Sequence, residues 1–468
     1  MPSEPKSLFD KIWDSHVVAD LGAGNALLHI DRIMIHDLGG PNLFHTMAQR
    51  GLQIRHPETV FCTPDHLISS RPGRDSATNK AGAEIVAAFK ENAAAAGIRY
   101  FEPGTPGHGI SHIIAPEQAI TLPGITMICP DSHTCTHGGL GAVGFGVGAS
   151  ELLHALVTQC MRQKKPKTVR VTFNGRTEAG VVPKDMILHL TSVLGSSGAN
   201  GYAIEYAGAA IRSLGVEGRL TICNLSIEMG AKIGMIAPDD IVFEYVAGRD
   251  FAPQGAMWEQ ALTHWRTLCS DENAAFDREL EIDSSVIEPQ ITWGVSPEHT
   301  IGVRGVVPDP ADQTDAASRE GMEAALQFMD LQPGQKLKGV PIDWVFIGSC
   351  TNARISDLRL AAATVQGRKV SERVTAWVVP GSQAVKNAAE AEGLDSIFRQ
   401  SGFEWREPGC SLCVAVNGET VPPGQRAVST SNRNFVSRQG PGARTHLASP
   451  AMAAAAAISG AIVDVRDF

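Results

Sequence analysis

Three cysteines in two short motifs carry the strongest chemical signal in the sequence. Cys350 lies in GSCTN, whereas Cys410 and Cys413 lie in PGCSLC, where their spacing of three lets both sulfurs face one metal centre. Cys350 follows a predicted strand and lies at or near the start of a predicted helix, whose dipole would favour the metal-binding thiolate. Three thiolates suit a cubane iron–sulfur cluster with one iron left open as a Lewis acid.

Other interpretations of these cysteines stay open at this point. A single cysteine is most often a small buried apolar residue, which is how we interpret Cys160 and Cys269. A structural zinc ion usually takes four ligands, and the nearby sequence offers no second CxxC motif or histidine pair. A CxxC redox pair is a third interpretation. The three-cysteine pattern alone does not decide between them.

The composition limits the classes of partner and location. The net charge of −10 argues against a nucleic-acid-binding surface, and it means that an anionic substrate needs locally placed arginines. No segment resembles a signal peptide, a transit peptide or an apolar span of about 20 residues, so we expect no membrane association. We predict a cytoplasmic location, where clustered cysteines more often bind metal than form disulfides.

The elements that must position these residues alternate along the chain. A length of 468 residues predicts two to four domains. KTVRVTFNG predicts a strand and KDMILHLTSVLG a helix, and the same alternation joins ITMICPDS to ASELLHALVTQCM and WVFIGSCTN to ISDLRLAAATVQG. The pattern predicts an α/β fold with largely parallel sheets and functional groups at the carboxyl ends of strands. The charged stretch 270–313 is predicted to be a connector.

Several longer motifs extend the signal almost from end to end: IDRIMIHD, FIGSCTN, PGCSLC, STSNRNFVSRQG and THLASPAMAAAA. With them the sequence resembles the aconitase superfamily, and within it the large-subunit branch of the 3-isopropylmalate dehydratases. The resemblance implies three α/β/α domains around a [4Fe–4S] cluster held by Cys350, Cys410 and Cys413, without the family's mobile fourth (swivel) domain. We predict domains at 1–166, 167–283 and 284–468, the last carrying the cluster cysteines.

The resemblance also assigns roles to individual positions. Six residues match the family's catalytic acids and histidines, in three pairs: Asp65 with His66, His112 with Asp131, and His133 with Glu228. The first pair is expected to protonate the leaving hydroxyl, because a histidine held by a carboxylate can do so near neutral pH. Six more residues match substrate-pocket positions: His36, Ser132, Asn224, Asn432, Arg433 and Arg438. The two arginines are expected to bind substrate carboxylates bidentately.

The implied activity is the reversible dehydration of a 2-hydroxy di- or tricarboxylate. The first expectation is isomerisation of 2-isopropylmalate to 3-isopropylmalate through isopropylmaleate, in leucine biosynthesis. Departures from common members, such as DHLI for DHNV and CSLCVAVN for CSMCLAMN, leave citramalate/citraconate, homoaconitate and aconitate-type substrates open. Cys135 stands where serine is common, and we interpret it as a packing residue.

Two alternatives belong to other classes of protein. An iron-sensing RNA-binding protein is one, although the acidic balance opposes it. A dinucleotide site is the other, because Gly139–Gly144 matches GxGxxG between a predicted strand and helix. The acid expected about 20 residues later is absent, and QKK stands there instead. We interpret these glycines as sites of close backbone packing.

The base that removes a proton from carbon has no counterpart in the sequence. In single-chain family members a serine of the fourth domain serves, in a motif like SSREH, and this chain contains no such motif. The resemblance therefore implies a heterodimer in which a separate small (swivel-domain) subunit supplies the base. We expect the isolated chain to be inactive.

Overall fold

The computed structural model describes residues 4–74 and 80–468. Its strands are β1 Val17–Gly22, β2 Asn25–His29, β3 Arg32–His36, β4 Val60–Thr63, β5 Arg99–Tyr100, β6 Thr126–Cys129, β7 Val143–Gly146, β8 Cys160–Lys164, β9 Lys167–Asn174, β10 Tyr202–Ala207, β11 Ile233–Met235, β12 Arg278–Asp283, β13 Gln290–Thr292, β14 Thr300–Gly302, β15 Trp344–Ile347, β16 Thr375–Val378, β17 Glu404–Trp405, β18 Arg426–Ser429 and β19 Arg444–Leu447. Its helices are α1 Leu8–His16, α2 Gly40–Gln49, α3 Lys80–Ala95, α4 Ser111–Glu117, α5 Ala149–Thr158, α6 Pro183–Leu194, α7 Ala209–Arg212, α8 Val216–Asn224, α9 Asp240–Val246, α10 Ala256–Trp265, α11 Ala316–Met329, α12 Ile355–Val365, α13 Gln383–Ala391, α14 Leu394–Ser401 and α15 Pro450–Ser459.

The chain forms two compact units, each assembled from several chain segments. Of the described residues, unit 1 contains 4–67, 80–176 and 197–283, and unit 2 contains 68–74, 177–196 and 284–468. Each unit has its own apolar core. The three-domain division at residues 166 and 283 stays a prediction.

Unit 1 contains two parallel sheets, and the strand order of one of them brings polar side chains to one edge. The five-stranded sheet has the order β5-β4-β3-β6-β7, and the four-stranded sheet has the order β11-β10-β9-β12. Strand β3 ends at His36, and its neighbours β4 and β6 end just before Asp65 and Asp131. Because neighbouring parallel strands end at the same edge, these side chains lie together. A small antiparallel sheet, β1-β2-β8, completes the unit.

Unit 2 contains a third parallel sheet, of order β17-β16-β15-β18-β19, and the antiparallel pair β13-β14. Strand β15 ends three residues before Cys350, and β18 ends three residues before Asn432. Helix α15 packs against α12 and β15, and its alanines are buried throughout. Small side chains let this helix approach the sheet closely, which keeps the strand ends that lead to the cysteines well packed.

Most predicted strands and helices match the structure in type, and two predictions are wrong. The helix predicted to run through QCM ends at Thr158, because Gln159 has a positive φ of 58° and Cys160 begins β8. The connector predicted for 270–313 contains β12, which pairs in parallel with β9. Strand β12 lies at the sheet edge and is mostly exposed, so it carries the charges that made its sequence resemble a linker.

No helix among the described residues combines the length and the apolar character needed to cross a bilayer.

Candidate active site

The imidazole of His66 is held by carboxylates in unit 1. Asp65 Oδ1 lies 2.6 Å from His66 Nδ1, and Asp65 Oδ2 accepts hydrogen bonds from the backbone N–H and hydroxyl of Ser111 at 2.9 and 2.7 Å. His66 Nε2 lies 3.5 Å from Asp131 Oδ2. Burial lowers the pKa of His66, but the charges and hydrogen bonds of Asp65, Asp131 and Asp37 outweigh it and raise this pKa well above its usual value. His66 is therefore protonated near neutral pH.

Asp131 is shared by three histidines. Its carboxylate oxygens lie 3.5 Å from His66 Nε2, 3.1 Å from His112 Nε2 and 3.6 Å from His133 Nδ1. Its Oδ1 also accepts the backbone N–H of His133 at 2.8 Å, because Asp131 is the N-cap of the 3-10 segment 132–140. Burial raises the pKa of Asp131, but hydrogen bonds from the three histidines hold it well below its usual range. The carboxylate is a fixed negative charge among three imidazoles.

His133 has a second carboxylate partner. Its Nε2 lies 2.7 Å from Glu228 Oε1, and both side chains are buried. The two predicted pocket residues nearby face other polar groups of unit 1: Ser132 Oγ lies 3.4 Å from His133 Nδ1, and the Asn224 amide donates to Thr136 Oγ1 at 2.7 Å. The structure thus brings together all three predicted acid–histidine pairs, while their roles stay predictions.

His36 lies against His66 at the end of β3. The two ring centroids are 4.5 Å apart, and His36 Nε2 lies 3.1 Å from the carbonyl oxygen of Pro130. Burial and the charge of His66 lower the pKa of His36. Asp37, fully buried behind this pair, accepts the backbone N–H groups of His66 and Leu67 at 3.1 and 2.8 Å and so anchors the turn that carries His66.

The three predicted ligand cysteines lie in unit 2 and are 5–7% exposed. The N–H of Cys413 donates to the carbonyl of Cys410 at 2.9 Å, which closes the CSLC turn (410–413). The helix predicted to follow Cys350 is confirmed as α12, which begins at Ile355 after the N-cap Arg354, so Cys350 lies five residues before the helix. The helix-dipole effect is confined to the first turn, so it does not act on this thiol.

The three cysteines form an all-sulfur donor set. Cys350 and Cys413 both contact the side chain of Asn432, and Cys410 is joined to Cys413 through the CSLC turn. Iron–sulfur clusters are held by cysteine thiolates, so three buried thiols linked in this way fit such a cluster. Among the described residues, a group of histidine and carboxylate ligand atoms that lie within 4.8 Å of one another belongs to His36, Asp37, Asp65 and His66.

Polar side chains contact the cysteine sulfurs. The Asn432 amide nitrogen donates to Cys350 Sγ at 3.4 Å, and Asn432 Oδ1 lies 3.5 Å from Cys413 Sγ. Ser349 Oγ lies 3.2 Å from Cys413 Sγ. Arg438 Nε donates to the carbonyl of Cys413 at 3.0 Å, which ties this predicted carboxylate-binding arginine to the CSLC turn. Arg433, the second arginine, lies over the ring of Phe435 at 5.6 Å.

The backbone around these cysteines is strained. Four non-glycine residues adopt positive φ next to the cysteines or to Arg438: Ser349 (78°), Ser411 (48°), Ala415 (56°) and Ser437 (61°). They are half of the eight such residues that the structure describes. Each conformation costs about 1–2 kcal/mol. Surrounding contacts must therefore impose it.

Glu419 provides one such set of contacts. This buried carboxylate accepts the Ser411 hydroxyl at 2.7 Å, the Ser70 hydroxyl and N–H at 2.6 and 2.7 Å, and an Arg406 N–H at 3.1 Å. Burial raises its pKa, but the hydrogen bonds from Ser70 and Ser411 and the Arg406 charge lower it below the usual value. Glu419 is thus a fixed charge that holds Ser411 in its left-handed conformation.

Lys184 makes another set of contacts, with the segment that leads to Asn432. It lies in the first turn of α6, is completely buried, and donates from Nζ to the carbonyls of Thr430 and Ser431 at 3.1 and 2.6 Å. Burial lowers the pKa of Lys184 to about 8, and the negative charge of Cys413 opposes this. The ammonium group fixes the segment that leads to Asn432.

A comparison with family models matches residues 10–460 to the family described as Aconitase family (aconitate hydratase). The chain belongs to the aconitase family. Membership implies iron–sulfur chemistry, which agrees with the three buried thiols. Two relatives extend the match over nearly the whole chain. This aconitase-family chain is 60% identical over 461 residues, 98% of its length and 96% of the relative's, to "3-isopropylmalate dehydratase large subunit 1" of Bradyrhizobium diazoefficiens.

The second relative is "3-isopropylmalate dehydratase large subunit" of Roseiflexus castenholzii, which is 50% identical over 469 residues and 99% of both chains. A solved structure, that of Thermococcus kodakaraensis aconitase X (holo-form), aligns with a TM-score of 0.46 and 12% identity over 87% of this chain and 84% of that chain.

The glycines of the GxGxxG match pack closely in this aconitase-family chain. A Cβ at Gly139 would overlap the backbone of Leu220, and one at Gly144 would overlap the backbone of Thr134. Close approach of backbone to backbone explains these glycines, in agreement with the packing interpretation. Cys135 is buried, and its Sγ donates to the carbonyl of Asn224 at 3.4 Å within unit 1.

Sequence reasoning missed four polar residues of the site. Two had a local signal: Asp37 directly follows His36 in MIHD, and His137 follows His133 by four residues in SHTCTH. Lys184 and Glu419 had none, because each is one charged residue in an ordinary helix or loop. Only contacts with distant parts of the chain distinguish them.

Proposed function

We propose that this chain is the cluster-carrying large subunit of a 3-isopropylmalate dehydratase. The observation that carries the proposal is the donor set: three buried thiols in unit 2 and three carboxylate-held histidines in unit 1. The 60% identity with a large subunit of that name, over 98% of the chain, supports the choice of substrate.

The proposed reaction is an isomerisation through an alkene. The hydroxyl of 2-isopropylmalate leaves as water, and the neighbouring carbon loses a proton, which gives isopropylmaleate. Addition of water with the opposite regiochemistry gives 3-isopropylmalate. Each direction needs one proton donor and one proton acceptor, and no oxidant.

The proposed cofactor is a [4Fe–4S] cluster held by Cys350, Cys410 and Cys413. When bound, it supplies an iron that acts as a Lewis acid toward the substrate hydroxyl. Asn432 orients two of the thiols through its contacts with Cys350 and Cys413. Lys184 offsets the negative charge that three thiolates bring to unit 2.

His66 is the proposed acid for the leaving hydroxyl. Its raised pKa keeps it protonated near neutral pH, and its Nδ1 is bound to Asp65, so the proton that it can give up is on Nε2. Asp131 stabilises the imidazolium before transfer. His112 and His133 both face the Asp131 carboxylate, and His133 also faces Glu228. These two histidines are proposed to exchange protons with groups around the substrate.

Two arginines and three other polar residues are the proposed substrate contacts. Arg433 and Arg438 bind carboxylates, since a guanidinium fork matches a carboxylate in plane and charge and overcomes the net charge of −10. His36, Ser132 and Asn224 are proposed to bind the rest of the substrate. The base that removes the carbon-bound proton is proposed to come from a separate small subunit, so the isolated chain turns nothing over.

The test is anaerobic co-purification of this chain with a small subunit. Hydration of isopropylmaleate, citraconate and cis-homoaconitate is assayed in parallel, and iron and sulfide are counted. We expect about four irons per large chain and activity on isopropylmaleate that requires both subunits. Activity confined to another substrate would replace isopropylmalate in the proposal. A chain that carries zinc and acts on none of them would overturn the proposal.

A further inference from the structure

We propose that His137 is a positioning residue for His112, through a buried chain of polar contacts from Asp131 to Thr121 that allows His112 to gain and lose a proton. The inference deepens the proposed function and relies on it for the kinetic readout. In this proposal His137 acts on His112.

The chain of contacts lies entirely in unit 1. His137 is fully buried, and its Nε2 lies 3.2 Å from His112 Nδ1, with the two rings at 70° to each other. Its Nδ1 lies 2.8 Å from Thr121 Oγ1, which lies 3.1 Å from Met127 Sδ. At the other end His112 Nε2 lies 3.1 Å from Asp131 Oδ1.

The contacts permit one arrangement of protons when His112 is neutral. Its Nε2–H faces the Asp131 carboxylate, whose Oδ1 lies 3.1 Å away, so its Nδ1 is an acceptor. His137 then donates from Nε2–H to His112 Nδ1, and its own Nδ1 accepts the hydroxyl proton of Thr121. Each of the three contacts has one donor and one acceptor.

The same contacts permit a second arrangement when His112 is protonated. Its Nε2–H still faces the Asp131 carboxylate, and its Nδ1–H donates to His137 Nε2. His137 then carries its proton on Nδ1 and donates to Thr121 Oγ1, and the Thr121 hydroxyl turns to the sulfur of Met127. His137 stays neutral and only changes tautomer.

This reversibility explains why a histidine occupies position 137. A backbone carbonyl at that place could only accept, and an ammonium could only donate. Either would favour one charge state of the buried His112 and leave a polar atom unpaired in the other, which is costly in a protein interior. A group that must exchange protons during each turnover needs a neighbour that accommodates both states.

Among the charged groups around His112, Asp131 is the carboxylate that faces it. His66 and His133 share Asp131, and Glu228 is bound by His133. On α8, which packs against the 3-10 segment 132–140, the Arg219 guanidinium is bound by a carboxylate, that of Asp239. The thiols of Cys129 and Cys223 stay neutral because burial raises their pKa.

The direct test is a pH titration of the cluster-loaded complex labelled with ¹⁵N-histidine, observed by NMR. We expect the His137 ring to exchange its proton from Nε2 to Nδ1 at the same midpoint at which His112 becomes charged. His137 itself stays neutral throughout. A His137 ring that keeps one tautomer over the whole titration would overturn the proposal.

Two variants test the contacts that His137 makes. Thr121→Val removes the partner of His137 Nδ1 in a side chain of equal shape, and His137→Phe removes both contacts. Thr121→Val removes the acceptor that Thr121 offers to His137 Nδ1–H, and His137→Phe removes the acceptor that His137 offers to protonated His112. We therefore expect the pH midpoint of His112 protonation to be lower than in wild type in both variants, and lowest in His137→Phe. For isopropylmaleate hydration we expect kcat to fall about tenfold in His137→Phe, with KM nearly unchanged. The double variant should behave like His137→Phe alone.

The matched control is His108→Gln, which changes another fully buried histidine of unit 1, one whose Nε2 contacts the carbonyl of Pro64. It should lower thermal stability without moving the His112 midpoint. A midpoint that moves equally in His108→Gln, or that stays fixed in Thr121→Val, would reduce His137 to a packing residue. If wild-type complex fails to hydrate isopropylmaleate, the proposed substrate is wrong, while the titration still decides the role of His137.

Discussion

A single carboxylate organises the polar half of the candidate site. Asp131 faces His66, His112 and His133, and two of these have a further carboxylate, Asp65 or Glu228. The charge of Asp131 raises the pKa of His66, and the histidines in turn keep Asp131 ionised. Removing one partner therefore changes the protonation of the others.

Asp65→Asn tests the proposed acid. The change removes the charge that holds His66 Nδ1–H, so the pKa of His66 falls and less of it is protonated near neutral pH. We expect kcat for isopropylmaleate hydration to fall about 10²- to 10⁴-fold at pH 7.5, in an enzyme that keeps its iron content. A kcat within twofold of wild type would remove His66 from the role of acid.

The same variant makes a prediction about stability and pH. The folded pKa of His66 lies above its unfolded value of about 6.5, so its contribution to stability is complete below that pH. The contribution is lost as the pH rises through the folded pKa. The difference between wild type and Asp65→Asn in urea midpoint should thus be largest near pH 6 and smaller at alkaline pH. A difference independent of pH would contradict the pairing.

Cys410→Ser tests the ligand set. A serine hydroxyl does not replace a thiolate toward iron, so we expect loss of iron, sulfide and activity, with most of the fold kept in circular dichroism. Cys269→Ser is the control, because Cys269 is an exposed thiol of unit 1. Unchanged iron and sulfide in Cys410→Ser would exclude Cys410 from the ligands.

At the scale of elements, short turns after parallel strands carry the chemistry, and distant contacts hold their shape. The turn after β15 carries Cys350, and the CSLC turn follows β17. Left-handed serines in these turns are unfavourable by themselves. The Glu419 carboxylate supplies a compensating hydrogen bond to Ser411, and the Lys184 ammonium fixes the carbonyls of Thr430 and Ser431 in the segment that leads to Asn432.

Glu419→Gln tests this support. The variant loses a charged acceptor for three serine hydroxyls and Arg406, and leaves the buried guanidinium poorly compensated. We expect a loss of about 3 kcal/mol in the free energy of unfolding of the apo-protein and faster iron loss from the loaded protein. Both are measurable, by urea titration and by release of iron to a chelator.

Glu404→Gln is the matched control for that change. Glu404 binds the same Arg406, at 2.6 Å, but its side chain is 54% exposed. Exposed pairs contribute little, so the urea midpoint and the rate of iron release should stay at wild-type values. If both variants changed the urea midpoint and the rate of iron release equally, the effect of Glu419→Gln would come from poorer compensation of the Arg406 charge. It would then not come from lost support of the CSLC turn.

At the scale of the whole molecule, neither compact unit is a continuous piece of chain. Unit 2 takes residues 177–196 from between two segments of unit 1. That insert contains α6, which packs on β13 and β14 and supplies Lys184. Asp185 of the same helix accepts the N–H of Gln290 at 2.8 Å. The C-terminal sheet therefore depends on a helix from far upstream.

A fragment of residues 284–468 should show this dependence. Without α6 it exposes the apolar surface of β13 and β14 and leaves the carbonyls of Thr430 and Ser431 unpaired, so we expect broad, non-cooperative urea unfolding. A peptide of residues 177–196 should bind the fragment and sharpen the transition, and the same peptide with Lys184→Met should do so less. Cooperative unfolding of the fragment alone would favour the predicted independent domain at 284–468.

The sequence by itself determined the chemistry-bearing motifs and the class of fold. Strands followed by turns and helices are local patterns, so Cys350 and Asp131 could be assigned to the carboxyl ends of strands from sequence alone. The sequence also contained the family resemblance, in motifs such as PGCSLC and SNRNFVSR. Strand β12 was missed because an edge strand tolerates the charges of a linker.

The tertiary structure alone decided which groups meet. Asp131 gathers three histidines because β4 and β6 flank β3, an order that no local pattern states. Glu419 and Lys184 act on residues far along the chain, at Ser70 and Ser431. The proton chain through His137 requires Thr121 and His112 at fixed distances. Hydrogen bonds depend on distance and direction in space, and the sequence encodes these only through the packing of the folded chain.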